Sequence, residues 1–129
     1  MGFFPVKSDT GAKLPWEYLA AAAGTYKAGQ LLNITGGELT AITAASSETP
    51  PYLCMADVTV TEAGTPIPVT RVSKDYIYET TLAADNASAV PGAKLGVDAE
   101  GMAADGTGTF ELVSVDGTSK DDVVRGRWA

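Results

Sequence analysis

An all-β fold is what this chain predicts: a small sandwich or partly open barrel built of related hairpins, entered by an extended N-terminal arm. Many short apolar runs of period two stand close together, with Gly, Pro, Asp and Ser between them, which is the pattern of short strands and tight turns. One hairpin-like unit returns in weaker form later in the chain. The first 23 residues differ from the rest, carrying large apolar side chains where a chain end has few partners. The boundaries that follow are 1–23 for the arm and 24–129 for a β-rich domain.

The repeating unit is GTYKAGQLLNITGGELTA, Gly24 to Ala41, and its second copy is PGAKLGVDAEGMAA, Pro91 to Ala104. Aligning Gly29 with Gly92, an offset of 92 − 29 = 63, matches Leu32 with Leu95, Ile34 with Val97, Leu39 with Met102 and Ala41 with Ala104. In each copy alternate apolar residues fall on one face of a strand. Gly36-Gly37 supplies the positive φ that a primed hairpin turn requires, whereas Ala99-Glu100-Gly101 predicts a longer or bulged loop. The residues beyond also correspond: Tyr52-Leu53-Cys54-Met55 after the first copy, Phe110-Glu111-Leu112-Val113 after the second. Two units are too few for a solenoid, so one compact body of related hairpins is expected.

Along the chain, Pro15 to Ala23 reads either as a short helix, from its proline and helix formers, or as an extended arm; the arm, with at most a turn of helix, is preferred. Leu31–Ile34 and Glu38–Ile42 form the first hairpin, and Tyr52–Thr61 a strand buried on both faces at its start. Pro66-Ile67-Pro68-Val69 removes two donors from one row, which marks an edge strand or one whose N–H row faces outward. Tyr76–Leu82, Phe110–Asp116 and Asp122–Trp128 complete the strands, with turns at Lys74-Asp75, Gly106–Gly108 and Gly117–Asp121.

Composition bounds the function. The chain has 129 residues, enough for one domain with its own core. Its 45% hydrophobic content is largely alanine and valine, so the core is thin and burial by assembly is favoured. The net charge is −7 and the nine basic residues are scattered, which leaves no basic stripe for nucleic acid. The acidic balance is similar in both halves and bears on solubility. No segment approaches the ~20 apolar residues of a membrane span, and the N-terminus lacks the apolar run of a secretory signal. Cys54 is the single cysteine, so no disulfide framework exists, and its apolar strand marks it as a buried structural thiol.

The search for chemistry yields little. With no histidine, Ser-His-Asp and Cys-His arrangements and His-containing zinc sites are absent. Gly106-Thr107-Gly108 lacks the lysine and helix of a phosphate loop. Asp98 with Glu100, and Asp121 with Asp122, are the carboxylate pairs nearest a calcium-site pattern, but neither has dense ligand spacing. No enzyme activity, cofactor or metal is expected. A small-ligand or carbohydrate module is an alternative resting on Tyr76, Tyr78 and Trp128, although such residues in a sandwich are more often core or interface.

The N-terminal segment LPWEYLAAAAGTYKAGQLL, the Gly-turned hairpin NITGGELT, the loop SSETPP, the strand YLCMAD and the approach VPGAKLGV together resemble the small capsid decoration, or cement, proteins of tailed bacteriophages, including head-fibre bases and head stabilisers. The resemblance covers roughly residues 14–116 and lies in rhythm and small residues. It implies a β-rich subunit on the outer surface of an icosahedral shell, bound to the major capsid protein, often as a homotrimer at threefold or quasi-threefold positions, and present in the host cytoplasm during assembly. It further implies that residues 1–23 are a capsid-binding arm, with Phe3, Phe4, Val6, Trp16 and Tyr18 as candidate anchors. Another virion β-domain, such as a fibre attachment base or tail component, is the structural alternative.

Overall fold

A computed structural model describes residues 2–8, 16–42, 48–98, 101–102 and 108–128. Among these residues every regular element is a strand: β1 (Phe4–Ser8), β2 (Glu17–Ala21), β3 (Gly24–Tyr26), β4 (Leu31–Thr35), β5 (Glu38–Ala41), β6 (Tyr52–Cys54), β7 (Val58–Val60), β8 (Thr65–Arg71), β9 (Tyr76–Thr81), β10 (Lys94–Leu95), β11 (Val97–Asp98), β12 (Gly101–Met102), β13 (Phe110–Val115) and β14 (Val123–Trp128). The all-β expectation is met, with a barrel among its parts. Strands β2-β5-β4-β6-β8 close into a small barrel, and β1-β9-β14-β13-β10 form a five-stranded sheet.

The two halves follow one path. In the first, β4 pairs with β6 in the register Leu32↔Tyr52 and Leu31↔Leu53; in the second, β10 pairs with β13 as Leu95↔Phe110 and Lys94↔Glu111. These are the positions matched by the sequence repeat. The hairpin pair Ile34↔Leu39 has its counterpart in Val97↔Met102 at the same offset of 63. Next, β6–β8 (Tyr52↔Arg71) corresponds to β13–β14 (Phe110↔Trp128), and β8–β2 (Val69↔Glu17) to β14–β9 (Gly126↔Tyr78).

Loop hydrogen bonds repeat as well. Gly29 N–H donates to Cys54 O while Cys54 N–H donates to Gln30 O; Gly92 N–H donates to Leu112 O while Leu112 N–H donates to Ala93 O. Both glycines need a positive φ, 87° at Gly29 and 91° at Gly92. At the turn before the last strand of each half, Gly64 (φ 94°) gives way to Asp121 (φ 69°), and the N–H of each donates to the carbonyl of equivalent residues, Ala21 and Leu82. The chain is therefore an internal duplication.

Each half has its own core. Ala21, Tyr26, Leu32, Leu39, Tyr52, Cys54, Val60, Ile67 and Val69 fill the first. Their equivalents Leu82, Ala89, Leu95, Phe110, Leu112 and Val124 lie in the second, joined there by Trp128 and Tyr78 and by Phe3, Leu31 and Leu53 from the first half of the chain. Phe3, Tyr78 and Phe110 surround the Trp128 ring with centroid separations of 5.2, 4.7 and 4.7 Å. A buried aromatic cluster of this kind contributes edge-to-face attraction beyond its area, roughly 0.5–1.5 kcal/mol per pair.

The strand pairings decide three local expectations. Residues 17–21 are extended, as the preferred of the two readings has it, and the short-helix alternative falls because β8 offers them a full antiparallel ladder from Glu17↔Val69 to Ala21↔Thr65; they form a strand of the barrel and not a free arm. The single strand expected over Tyr52–Thr61 is broken at Met55–Asp57: Asp57 Oδ1 accepts the Ala28 N–H at 2.8 Å, and β7 leaves to pair with β3. β8 as a whole is not an edge, being flanked by β2 and β6, but β6 pairs only with Val69–Arg71, so at Pro66 and Pro68 the alternative of a row facing outward holds. The prolines are tolerated because β6 ends at Cys54↔Val69, and Pro68 still accepts the Met55 N–H through its carbonyl.

Candidate functional site

The candidate site is a surface of strand edges, and it begins with how the N-terminal residues are held. Phe4–Ser8 pairs antiparallel with β9 in the register Phe4↔Glu79, Pro5↔Tyr78, Lys7↔Ile77 and Ser8↔Tyr76, with Val6 bulged out. This pairing makes β1 the outer strand of the five-stranded sheet. Just before it, Phe3 N–H donates to Gly29 O at 2.8 Å, which turns the Phe3 ring into the second core.

The five candidate anchors separate accordingly. Phe3 is 1% exposed and belongs to this chain's own core, so it is corrected from anchor to core residue. Phe4 is partly exposed and lies over Gly29, where an added Cβ would meet its ring at 2.6 Å. Val6 is exposed at the bulge. Trp16 and Tyr18 are the most exposed large apolar side chains among the described residues, at 54% and 67%. They sit at the start of β2, in the other half, so the anchors are divided between two edges: β1 carries Phe4 and Val6, and β2 with its approach carries Trp16 and Tyr18.

The β2 edge is open for a physical reason. Its partner on one side is β8, but on the other β5 meets it only at Ala21↔Leu39, as a parallel bridge. Ala22 N–H donates to Leu39 O on that second side. Alternate residues of a strand point their amides the same way, so the N–H and C=O of Tyr18 face that side too. Among the described residues no strand lies against them. Glu17 lies in this stretch of β2, in a chain of net charge −7.

Pockets offer little beside this. A shallow apolar hollow of about 150 Å³ lies between Phe3, Phe4, Pro5, Ala28, Gly29, Leu53, Cys54 and Met55. Burial pushes the Cys54 thiol up in pKa, and its Sγ donates to Ala56 O at 3.1 Å, so it is held protonated as a packed hydrophobe. Of the aromatics of the ligand-module alternative, Tyr78 and Trp128 are fully buried, and Tyr76 is partly buried against the same core. The acidic turn residues have structural partners. Asp122 Oδ2 accepts from Ser119 N–H at 3.0 Å and Asp85 Oδ1 from Lys120 N–H at 2.7 Å, each pinning the turn before β14. No group of three or more metal-ligating side chains occurs among the described residues. Glu100 and Gly106-Thr107 lie outside them. No helix among the described residues is long and apolar enough to cross a membrane.

Sequence reasoning named Trp16 and Tyr18 but missed that they share an unpaired edge. The repeat alignment alone does not reach them: upstream of Gly29 the structural match shifts from an offset of 63 to 78 − 17 = 61, and Glu17 shares no likeness with Tyr78, so only the pairing of β2 with β8 and of β9 with β14 reveals the equivalence. Compared with known proteins, the chain matches no family model and no curated sequence.

Proposed function

We propose that this chain is a structural virion protein that binds the outer surface of an icosahedral phage capsid, through the major capsid protein, and stabilises the shell. The single observation that carries the reading is the open β2 edge with Trp16 and Tyr18 exposed beside it. Two large aromatics next to unpaired backbone groups are costly in isolation and are satisfied by another chain. The resemblance of hairpin rhythm to decoration proteins supports the choice of partner, and an assembly as trimers at threefold positions is part of the same proposal. Binding that occurs only on the mature shell would lower its free energy by linkage, a role that needs no active site.

The test is co-sedimentation with mature and immature shells of tailed phages. Deleting residues 1–23 is the wrong variant, because it removes Phe3 from the core and β2 from the barrel. The double substitution Trp16→Ser with Tyr18→Ser changes only exposed side chains. Saturable binding to mature shells by the unaltered chain, lost in the double variant, is the expected result. Failure of the unaltered chain to bind any shell rejects the reading. Location on the tail, seen by microscopy of virions, would move the protein to the tail-component alternative.

A further inference from the structure

The duplication shows what belongs on the open β2 edge. Matching Glu17 with Tyr78, an offset of 78 − 17 = 61, places Tyr18 opposite Glu79 and Trp16 opposite Ile77 in the superposed paths. In the second half that stretch of edge is covered: β1 lies on it, with Phe4 across from Glu79 and Lys7 across from Ile77. Beneath this strand Ile77 and Tyr78 are buried. In the first half no described strand occupies the equivalent place, and Trp16 and Tyr18 are exposed there. One half therefore displays the complex that the other half lacks.

We propose that the β2 edge at Trp16–Ala20 is a docking site for an extended segment of another protein, added as an antiparallel strand of the same chemistry as β1: aromatic, proline-containing and basic. The register is that of β1 on β9, so an aromatic residue stands opposite Tyr18 and exchanges two backbone hydrogen bonds with it. The basic preference follows from Lys7 at the matching point of β1 and from Glu17 within the β2 edge.

A second copy of this chain is not the occupant. Each chain carries one β1 and two edges that take such a strand, so any closed set of copies has only enough β1 strands for its β9 edges, swapped or not. The β1 of a second copy therefore does not fill the β2 edges, and a strand of that chemistry on them comes from a foreign chain. An aromatic edge with no proline or lysine among its described residues to blunt it is also the kind that exists in order to be covered.

The experiment uses the full-length protein and a synthetic peptide of residues 2–8, GFFPVKS. Expected are saturable one-to-one binding, a change in Trp16 fluorescence, and amide shifts with slowed hydrogen exchange centred on Tyr18. A peptide N-methylated at Phe4 cannot donate to the Tyr18 carbonyl and should bind about tenfold more weakly; this control leaves the protein's fold untouched. Tyr18→Pro, which removes an amide that β8 does not use, should have a similar effect. The proposal is overturned by a peptide that does not bind, by an N-methylated peptide that binds equally well, or by shifts confined to Ile77–Glu79, which would mean that the peptide only displaces β1. It is equally overturned if the chain alone associates through β2 in sedimentation, since a second copy would then be the occupant. Because no shell is present, a failure here is distinct from a failure of the capsid reading.

Discussion

The first half of the chain closes a barrel by itself, whereas the second follows the same strand order and draws on Phe3 and β1 from the far end of the sequence. The contrast is clearest at one pair of equivalent positions. In the first half Arg71 stands over the Tyr52 ring at 5.3 Å and donates from Nη2 to its hydroxyl at 3.1 Å. In the second, Trp128 packs on Phe110 at 4.7 Å and is 1% exposed. The first half also stoppers its barrel with Tyr26, whose hydroxyl donates to Ala22 O at 2.6 Å, where the second has Ala89. The same backbone path is thus filled from different sides: by a tyrosine plug and a surface cation in one half, by an aromatic cluster shared with the N-terminus in the other. Duplicated folds keep the ladder and exchange the filling, because a core requires matched volume more than particular residues.

The largest test of this difference is truncation at the paired positions. Trp128→Ala should destabilise by about 3–5 kcal/mol, as expected for emptying a buried aromatic site, and Arg71→Ala by about 1 kcal/mol or less. Urea unfolding measures both, and equal losses would mean that the two halves are not filled differently. The two loop glycines sharpen the comparison. Both have positive φ, yet a Cβ at Gly29 meets the Phe4 ring while one at Gly92 meets nothing within 4 Å. Gly92→Ala should cost about 1–2 kcal/mol from backbone strain alone, and Gly29→Ala more, with β1 loosened on β9. Faster amide exchange across Phe4–Ser8 in Gly29→Ala only is the expected readout.

A smaller effect is expected where the halves differ by one turn residue. Asp121 adopts the conformation that Gly64 adopts in the first half, so Asp121→Gly should be neutral or stabilising by up to about 1 kcal/mol, whereas Gly64→Ala should destabilise by about 1–2 kcal/mol. Thermal unfolding of the two variants gives the sign directly.

The smallest separates the halves by pH. Burial raises the pKa of Cys54 and Tyr26 in the first core and of Tyr78 in the second. A raised folded-state pKa on these groups favours the neutral form, so their contribution is complete below the unfolded value and is lost as pH rises through the folded one. Stability should be flat with respect to these groups through neutral pH. It should fall once pH passes the ordinary thiol value of 9.0 and further beyond the ordinary phenol value of 10.0. Cys54→Ala should abolish the first part of this decline, since the second half carries Leu112 at the matching position and has no thiol to ionise.

Much of this molecule was settled by local sequence. Alternating apolar residues with glycine between them dictate hairpins, and Gly29, Gly92 and Gly36-Gly37 mark where the backbone must take positive φ. The repeat was legible for the same reason, since equivalent strands that line equivalent cores keep their apolar spacing, as Leu32 with Leu95 and Tyr52 with Phe110 do. The extent of the duplication was not legible. Its outer strands retain little likeness, Glu17 against Tyr78 and Arg71 against Trp128, because those positions meet different neighbours in the two halves. Nor could the sequence decide between Phe3 and Phe4, adjacent and identical, of which one is core and one is partly exposed. That choice depends on the hydrogen bond from Phe3 N–H to Gly29 O and on the pairing of β1 with β9, contacts between residues far apart in the chain. Period and turn chemistry are local properties that a sequence carries on its face. Which edge is covered and which stays open is set by long-range pairing, and only the tertiary structure decides it.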